Sequence, residues 1–446
     1  MRTDEGGRMQ DRTTRPRPTP AQLRWQRAGL GMFVHFGVNT FAGREWSDGS
    51  LPPSIFDPSA LDAEQWARAA VSLGAASVVL TAKHHDGFCL WPTRTTDYSV
   101  ASSPWRGGAG DVVGELAKAC AAHGLGLGLY LSPWDRHAPE YDDPERYDDL
   151  YAAQLTELMT GYGDLVEVWF DGAGSEGRVY DWPRYMEIVR RHQPDAMIFN
   201  MGEPTIRWIG NEDGLAADPV DYTADSVPLS QYVTGAASLP TRIYLPPECD
   251  VSIRRGWFWH EDEEPKGLDH LLAIHLASIG LGANLLLNVP PSRSGLIDER
   301  DLRRIGEFRR ELDARFGAPV ATRLTPRGPG VWDAVLPWPV EAGHLELREA
   351  LEQGQRATAH EVRNGVEGDM DGEGALLARG GSIGVRRIHP LSESSGPSAG
   401  PVLLSALTVR TDRDVELAEV LVHPATASPI VPRLPEGYQA STEAPE

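Results

Sequence analysis

The 446-residue sequence predicts an α/β protein, a (β/α)8-like barrel domain followed by an antiparallel β-sandwich domain. Three observations carry this. From about residue 30 to 315, short apolar runs alternate with longer amphipathic ones, the habit of repeated strand–helix units on a parallel sheet. Each apolar run ends on a polar or aromatic residue, as strands do at the functional face of a barrel. After about 318 the helical period vanishes, and short alternating runs separated by Gly, Pro and Ser take over.

The first strand is GLGMFVHFG (29–37), apolar enough to be buried on both faces. ASVVLTAKHH (76–85), LGLGLYLS (125–132), LVEVWFDG (165–172), AMIFN (196–200) and ANLLLNVPP (283–291) follow the same habit. Helical patterns fall at 61–73, opening on Asp62, and 111–123, opening on Asp111. Others fall at 145–161, 183–192 and 298–315, and Asp or Pro at such starts suits a helix N-terminus. A doubly wound open sheet is the rival, but it predicts a Gly-rich phosphate turn after the first strand, where HFGVNTFAGREW has none. The strand ends present His35, His84, His85, Tyr130, Asp171, Asn200 and Asn288 to one rim. Beyond 318, HLELRE (344–349), RATAHEVRN (356–364), ALLARGGSIGVRRI (375–388), PVLLSALTVRT (401–411) and VELAEVLVHP (415–424) read as sandwich strands, with SESSGPSAGP (392–401) a surface loop. The expected division is a disordered tail over 1–20, the barrel over 21–317, the sandwich over 318–425 and a second disordered tail over 426–446.

Apolar residues at 41% and charged residues at 24% are ordinary for a globular chain with a substantial core. A net charge of −22 argues against nucleic acid or an anionic membrane as partner, since both need a basic footprint. Cys89, Cys120 and Cys249 show neither metal spacing nor a disulfide framework and read as reduced thiols. The N-terminal residues contain no apolar signal core, and 271–289 reads as a buried helix running into a strand, so the expected location is cytoplasmic. The oligomeric state is not legible.

Among residues able to carry chemistry, Asp171 ends a strand beside Trp169 and Phe170. Its carboxylate could attack an anomeric carbon, or could cap a helix or pair with an Arg. His84 and His85, with His35, could offer imidazoles to sugar hydroxyls. A three-histidine metal site lacks an acidic or Cys partner at metal spacing, and core histidines are the plainer alternative. Glu45-Trp46 could give an acceptor and a platform for a sugar face, or Trp46 could pack in the core. Arg254, Arg255, Trp257, Phe258 and Trp259 form a second aromatic and cationic cluster, which could instead pack on the C-terminal domain. A retaining glycosidase needs a second carboxyl. Glu203, Glu212, Asp213, Glu248 and Asp250 are candidates, with Glu212 slightly ahead of Glu248 because its aromatic and apolar neighbours could raise its pKa.

Taken together, GLGMFVHFG, GREW, AKHHDGFCLWPT, GLGLYLSPWD, VWFDG, PEC…GWFWH and GANLLLNVPP, in this order, resemble the α-L-fucosidases of glycoside hydrolase family 29 over about residues 22–315. The resemblance implies retaining hydrolysis of α-L-fucosidic bonds through a fucosyl–aspartate, without cofactor or metal, on a fucosylated oligosaccharide. It implies that Asp171 is the nucleophile and that His35, His84, His85, Glu45 and Trp46 bind fucose, with Tyr130, Trp169, Arg254 and Trp257 as further contacts. RWIGNEDG is similar to the α-1,3/1,4-fucosidase subfamily acting on branched, Lewis-type glycans, and this favours Glu212 as acid/base. A fucose-binding lectin on a decayed enzyme scaffold, and a barrel hydrolase for another sugar, are the competing readings.

Overall fold

The computed structural model describes residues 15–174, 177–230, 233–366, 374–391 and 401–438. Eight parallel strands form the barrel: β1 (Leu30–Val34), β2 (Ser77–Lys83), β3 (Gly126–Leu131), β4 (Leu165–Trp169), β5 (Met197–Phe199), β6 (Arg207–Trp208), β7 (Pro247–Ser252) and β8 (Asn284–Asn288). Their order is β5-β4-β3-β2-β1-β8-β7-β6, and a parallel bridge between Phe199 and Ile206 draws the two edges together. Residues alternate faces along each strand. Met32 and Val34 face the surrounding helices while Phe33 points into the barrel, and Leu285 and Leu287 flank an inward Leu286 in the same way.

Helix α1 (Pro20–Ala28) precedes the barrel, and Thr19 and Gln22 form a capping box at its start. Its Trp25 packs against the barrel interior, and Gln22 donates to the carbonyls of Thr205 and Tyr244 at 2.7 and 3.1 Å. After a one-turn helix at Val38–Ala42, six longer helices follow among the described residues: α2 (Ala63–Leu73), α3 (Val112–His123), α4 (Pro144–Gly161), α5 (Trp182–His192), α6 (Leu268–Ala277) and α7 (Glu299–Phe316). Asp111, Asp143, Asp181 and Asp298 cap their helices by accepting backbone N–H groups. Asp62 sits at the N-cap of α2 without capping it, and an exposed pair with Arg68 at 3.1 Å takes its carboxylate.

The barrel departs from regular alternation on one side. No helix separates β5 from β6, and an antiparallel pair, Thr223–Ser230 with Val233–Tyr244, stands between β6 and β7. The sequence reading did not separate β6 or β7 as strands. β6 is two residues long, and β7 alternates outward Cys249 and Val251 with buried Glu248 and Asp250, so its apolar signal is halved.

The second domain begins with Val320–Ala321. Its long strand Val331–Glu349 bends at a register shift between Val335 and Val340. Before the shift it pairs with Arg323–Gly328, while Val402–Thr411 pairs with it on both sides of the shift, through Ala342. From Ala342 onward it pairs with Leu417–Pro424 and Arg387–Pro390, so one strand joins all four around a core that includes Leu345, Leu347, Leu407 and Val409. The expected C-terminal tail needs correction. Residues 426–438 return to the barrel, where Ile430 and Leu434 pack on its core, Arg315 donates to the Ile430 carbonyl at 2.6 Å, and Tyr438 meets His270 edge-on. Apolar Ile430 and Leu434 amid prolines have no periodicity from which this docking could be read. Within the expected N-terminal tail, Thr19 and Pro20 already belong to the start of α1. The loop 392–400 and the segments 1–14 and 439–446 lie outside the described residues. Cys89, Cys120 and Cys249 are buried free thiols. Among the described residues no helix is long and apolar enough to cross a membrane.

Candidate active site

The C-terminal ends of the barrel strands line a pocket that opens to solvent. Its lining includes His35 after β1, Glu45 and Trp46 from the following loop, His84 and His85 after β2, Tyr130 on β3, and Trp169 and Asp171 at β4. Glu212, from the segment after β6, and Trp257, from the loop after β7, complete the opposite wall. Ten of the eleven residues expected from the sequence therefore meet in one place.

Arg254 is the exception. It is wholly buried away from the pocket, where its Nε donates to both oxygens of Asp301 at 3.1 and 2.8 Å and its guanidinium lies 3.4 Å from Asp298. Its Nη1 donates to the carbonyls of His260 and Glu263. It is an internal anchor of the loop that carries Trp257 and does not line the pocket, contrary to the sugar contact that the resemblance implied. Arg255 is exposed and does not line the pocket either.

Trp169 forms the aromatic base, stacked on Phe199 at 3.8 Å between ring centres and on Tyr130 at 5.3 Å. Above it, both Asp171 oxygens are held: Oδ1 accepts the Ala173 N–H at 2.8 Å and Oδ2 accepts the Tyr130 hydroxyl at 2.9 Å. Burial, then the Asp171 charge, drives the Tyr130 phenol far above its ordinary pKa, so it stays an O–H donor. His85 Nε2 lies 3.6 Å from Asp171 Oδ2.

The histidines are neutral at neutral pH and their tautomers are set by neighbours. The Ser132 hydroxyl donates to the Trp134 carbonyl, so His85 Nδ1, 2.7 Å from Ser132 Oγ, must donate, leaving Nε2 as an acceptor. Asn288 gives its amide hydrogens to Ser252 and the Trp257 carbonyl and accepts from His35 Nδ1 at 2.9 Å, leaving His35 Nε2 bare likewise. Burial lowers His35 to about 3 and His85 to about 4, and it also pulls His84 well below its ordinary value. These are acceptors suited to hydroxyl groups.

The carboxyls differ in environment. Burial, then the charge of Asp250, pushes Glu212 well above the usual carboxylate range, and the indole N–H of Trp257, 3.1 Å from Oε2, pulls the other way. Asp250 is raised to about 7 by burial while accepting the Trp208 N–H at 2.7 Å. Glu248 lies elsewhere, inside the barrel and off the pocket lining, where Oε1 accepts the Trp169 N–H at 3.2 Å. Both Glu248 and Glu167 are raised by burial, Glu167 to about 7. Of the two carboxyls most nearly matched in the sequence, only Glu212 reaches the pocket.

Sequence reasoning missed Phe33, Phe199 and Trp208 as pocket walls, and it weighed Asp250 only as a candidate acid. The inward phase of β7, shared by Glu248 and Asp250, was the signal available. Asn200, a strand-end residue with a left-handed φ of 61°, also lines the pocket and accepts the Trp208 backbone N–H at 3.1 Å. Among the described residues no group of three His, Cys, Asp or Glu is arranged to hold a metal ion.

A barrel rim that gathers neutral imidazoles, aromatic platforms and carboxyls in contrasting environments has the make-up of a glycoside hydrolase site. The family model described as Alpha-L-fucosidase matches residues 52–312, and the chain belongs to that family. It is 46% identical over 320 residues to Alpha-L-fucosidase 1 of Arabidopsis thaliana, covering 69% of this chain and 62% of that protein. The chain thus spans about three fifths of the length of the curated plant relatives it matches. Among solved structures, a glycoside hydrolase 29 family member from an unknown rumen bacterium superposes with a TM-score of 0.79 at 32% identity, covering 94% of this chain and 79% of that one. A Ruminococcus gnavus GH29 fucosidase in complex with fucose gives a TM-score of 0.78 at 29% identity, covering 93% and 97%.

Proposed function

We propose that the protein is a retaining exo-α-L-fucosidase that removes terminal α-1,3/1,4-linked L-fucose from branched, Lewis-type glycans. The observation that carries this is the placement of Asp171 and Glu212 on one pocket, the first held by donors on both oxygens and the second pushed toward its protonated form by burial and like charge. In the first step an Asp171 oxygen attacks C1 of fucose as the C1–O bond to the glycan breaks, and the Glu212 proton passes to the departing oxygen. In the second, water attacks C1, Glu212 takes its proton, and the C1–Asp171 bond breaks. Bare Nε2 atoms of His35 and His85 accept fucose hydroxyls, while Trp46, Trp169 and Trp257 offer apolar surface to the ring. The family membership and the fucose complex of the Ruminococcus gnavus relative support fucose as the bound sugar.

Asp171→Ala should abolish nearly all turnover of a chromogenic fucoside, with azide restoring part of it by filling the vacated space. Wild-type-like hydrolysis by that variant would defeat the reading. For linkage, the Lewis-type trisaccharide should be cleaved at least as efficiently as the chromogenic fucoside. A strong preference for the latter would point to a broader aglycone range.

A further inference from the structure

Glu212 makes one side-chain hydrogen bond among the described residues, and its donor is the indole of Trp257. The aim of the acid therefore depends on the loop from Ile253 to Glu263. Arg254 grips the backbone of that loop from the interior. On the pocket side Glu45 holds the same loop, one oxygen on its backbone and the other on a side chain. Oε2 accepts the backbone N–H groups of Trp257 at 2.7 Å and Phe258 at 3.3 Å, and Oε1 pairs with His260 Nε2 at 2.7 Å. A Cβ at residue 256 would come within 2.3 Å of Glu45 Oε1, so Gly256 is what lets the carboxylate enter the turn. His260 itself does not line the pocket.

We propose that His260 is a positioning residue: paired with Glu45, it clamps the 256–260 turn so that the Trp257 indole N–H is aimed at Oε2 of Glu212. An N–H donor at Oε2 makes that oxygen the acceptor and leaves the acidic proton on Oε1, free to face the departing glycan oxygen. The Glu45 pairing raises the His260 pKa, which favours the doubly protonated ring and a charge-assisted bond. Glu45, expected from the sequence to contact sugar, thus also holds protein. The inference rests on Glu212 being the acid.

The test compares kcat/KM on a Lewis-type trisaccharide, whose leaving oxygen needs a proton, with kcat/KM on α-L-fucosyl fluoride, whose leaving group needs far less acid help. His260→Ala should lose about tenfold more on the trisaccharide than on the fluoride, the scale of one charge-assisted hydrogen bond. His260→Asn, which keeps a polar side chain but falls short of Glu45, should show the same split. His260→Gln, whose amide N–H can reach Glu45, should recover most of it. Equal losses on both substrates, or no loss in either short variant, would overturn the clamp. Glu212→Gln run in parallel separates the two ideas. A large split there with none at His260 defeats the clamp alone, and no split at Glu212 removes the acid assignment and the clamp with it.

Discussion

Replacing Arg254 with Met tests whether this residue serves the fold or the sugar. Its guanidinium is fully buried and its main partner, Asp301, is as well, whereas Asp298 keeps an independent pair with Arg300 at 2.8 Å. Removing Arg254 therefore strands one buried carboxylate and two loop carbonyls. Breaking a buried ion pair from one side costs about 3–5 kcal/mol, a large share of the roughly 5–15 kcal/mol that holds a domain together. Burial already raises Asp301 to about 6, with Arg254 opposing it, so in the variant Asp301 takes up a proton on folding. The folded variant then binds a proton that its unfolded chain releases above the ordinary Asp value near 3.8, so its stability falls as pH rises through this window. Denaturant unfolding of wild type and Arg254→Met at pH 5 and pH 8 should show a deficit that is larger at pH 8, and adding Asp301→Asn should recover part of it. Unchanged unfolding midpoints together with a raised KM for fucosides would refute the reasoning and restore Arg254 as a sugar contact.

Asp250→Asn removes the like charge that helps hold the Glu212 proton, so the alkaline limb of the kcat/KM profile should move to lower pH; an unmoved limb would show that Asp250 does not contribute to the Glu212 shift. Glu248→Gln keeps an acceptor for the Trp169 N–H and should retain turnover to within about threefold, whereas a loss of several orders of magnitude would return Glu248 to the acid/base role. Because Glu167 and Glu248 are raised in the fold, the native protein holds protons that the unfolded chain gives up above about pH 4.5, and this contribution to stability declines as pH rises toward 7. Unfolding midpoints of Glu248→Gln across that window should decline less steeply than those of the wild type.

Much of the barrel is legible because a strand buried on both faces must be a near-continuous apolar run, and six of the eight strands are. β7 escapes that rule because its inward positions carry Glu248 and Asp250, the polar content a site brings into a core. The rim residues His35, His84, His85, Tyr130 and Asp171 are legible for a geometric reason, since each ends or follows a strand and strand ends converge. Arg254 misleads because its neighbours in sequence are aromatic and pocket-directed, while the residue that claims its charge, Asp301, lies on α7. The choice between Glu212 and Glu248 turns on depth along the barrel axis, which spacing in the chain does not encode.

The central claim is that Asp171 forms the covalent bond to fucose. Incubation with a 2-deoxy-2-fluoro-α-L-fucosyl fluoride should slow breakdown of the intermediate enough to trap it, and proteolysis with mass spectrometry then locates the added sugar. The account predicts the label on Asp171, on the peptide that contains Val168-Trp169-Phe170-Asp171-Gly172. Label on Glu212, Asp250 or Glu45, or steady turnover of the fluorosugar with no labelled peptide, would contradict it.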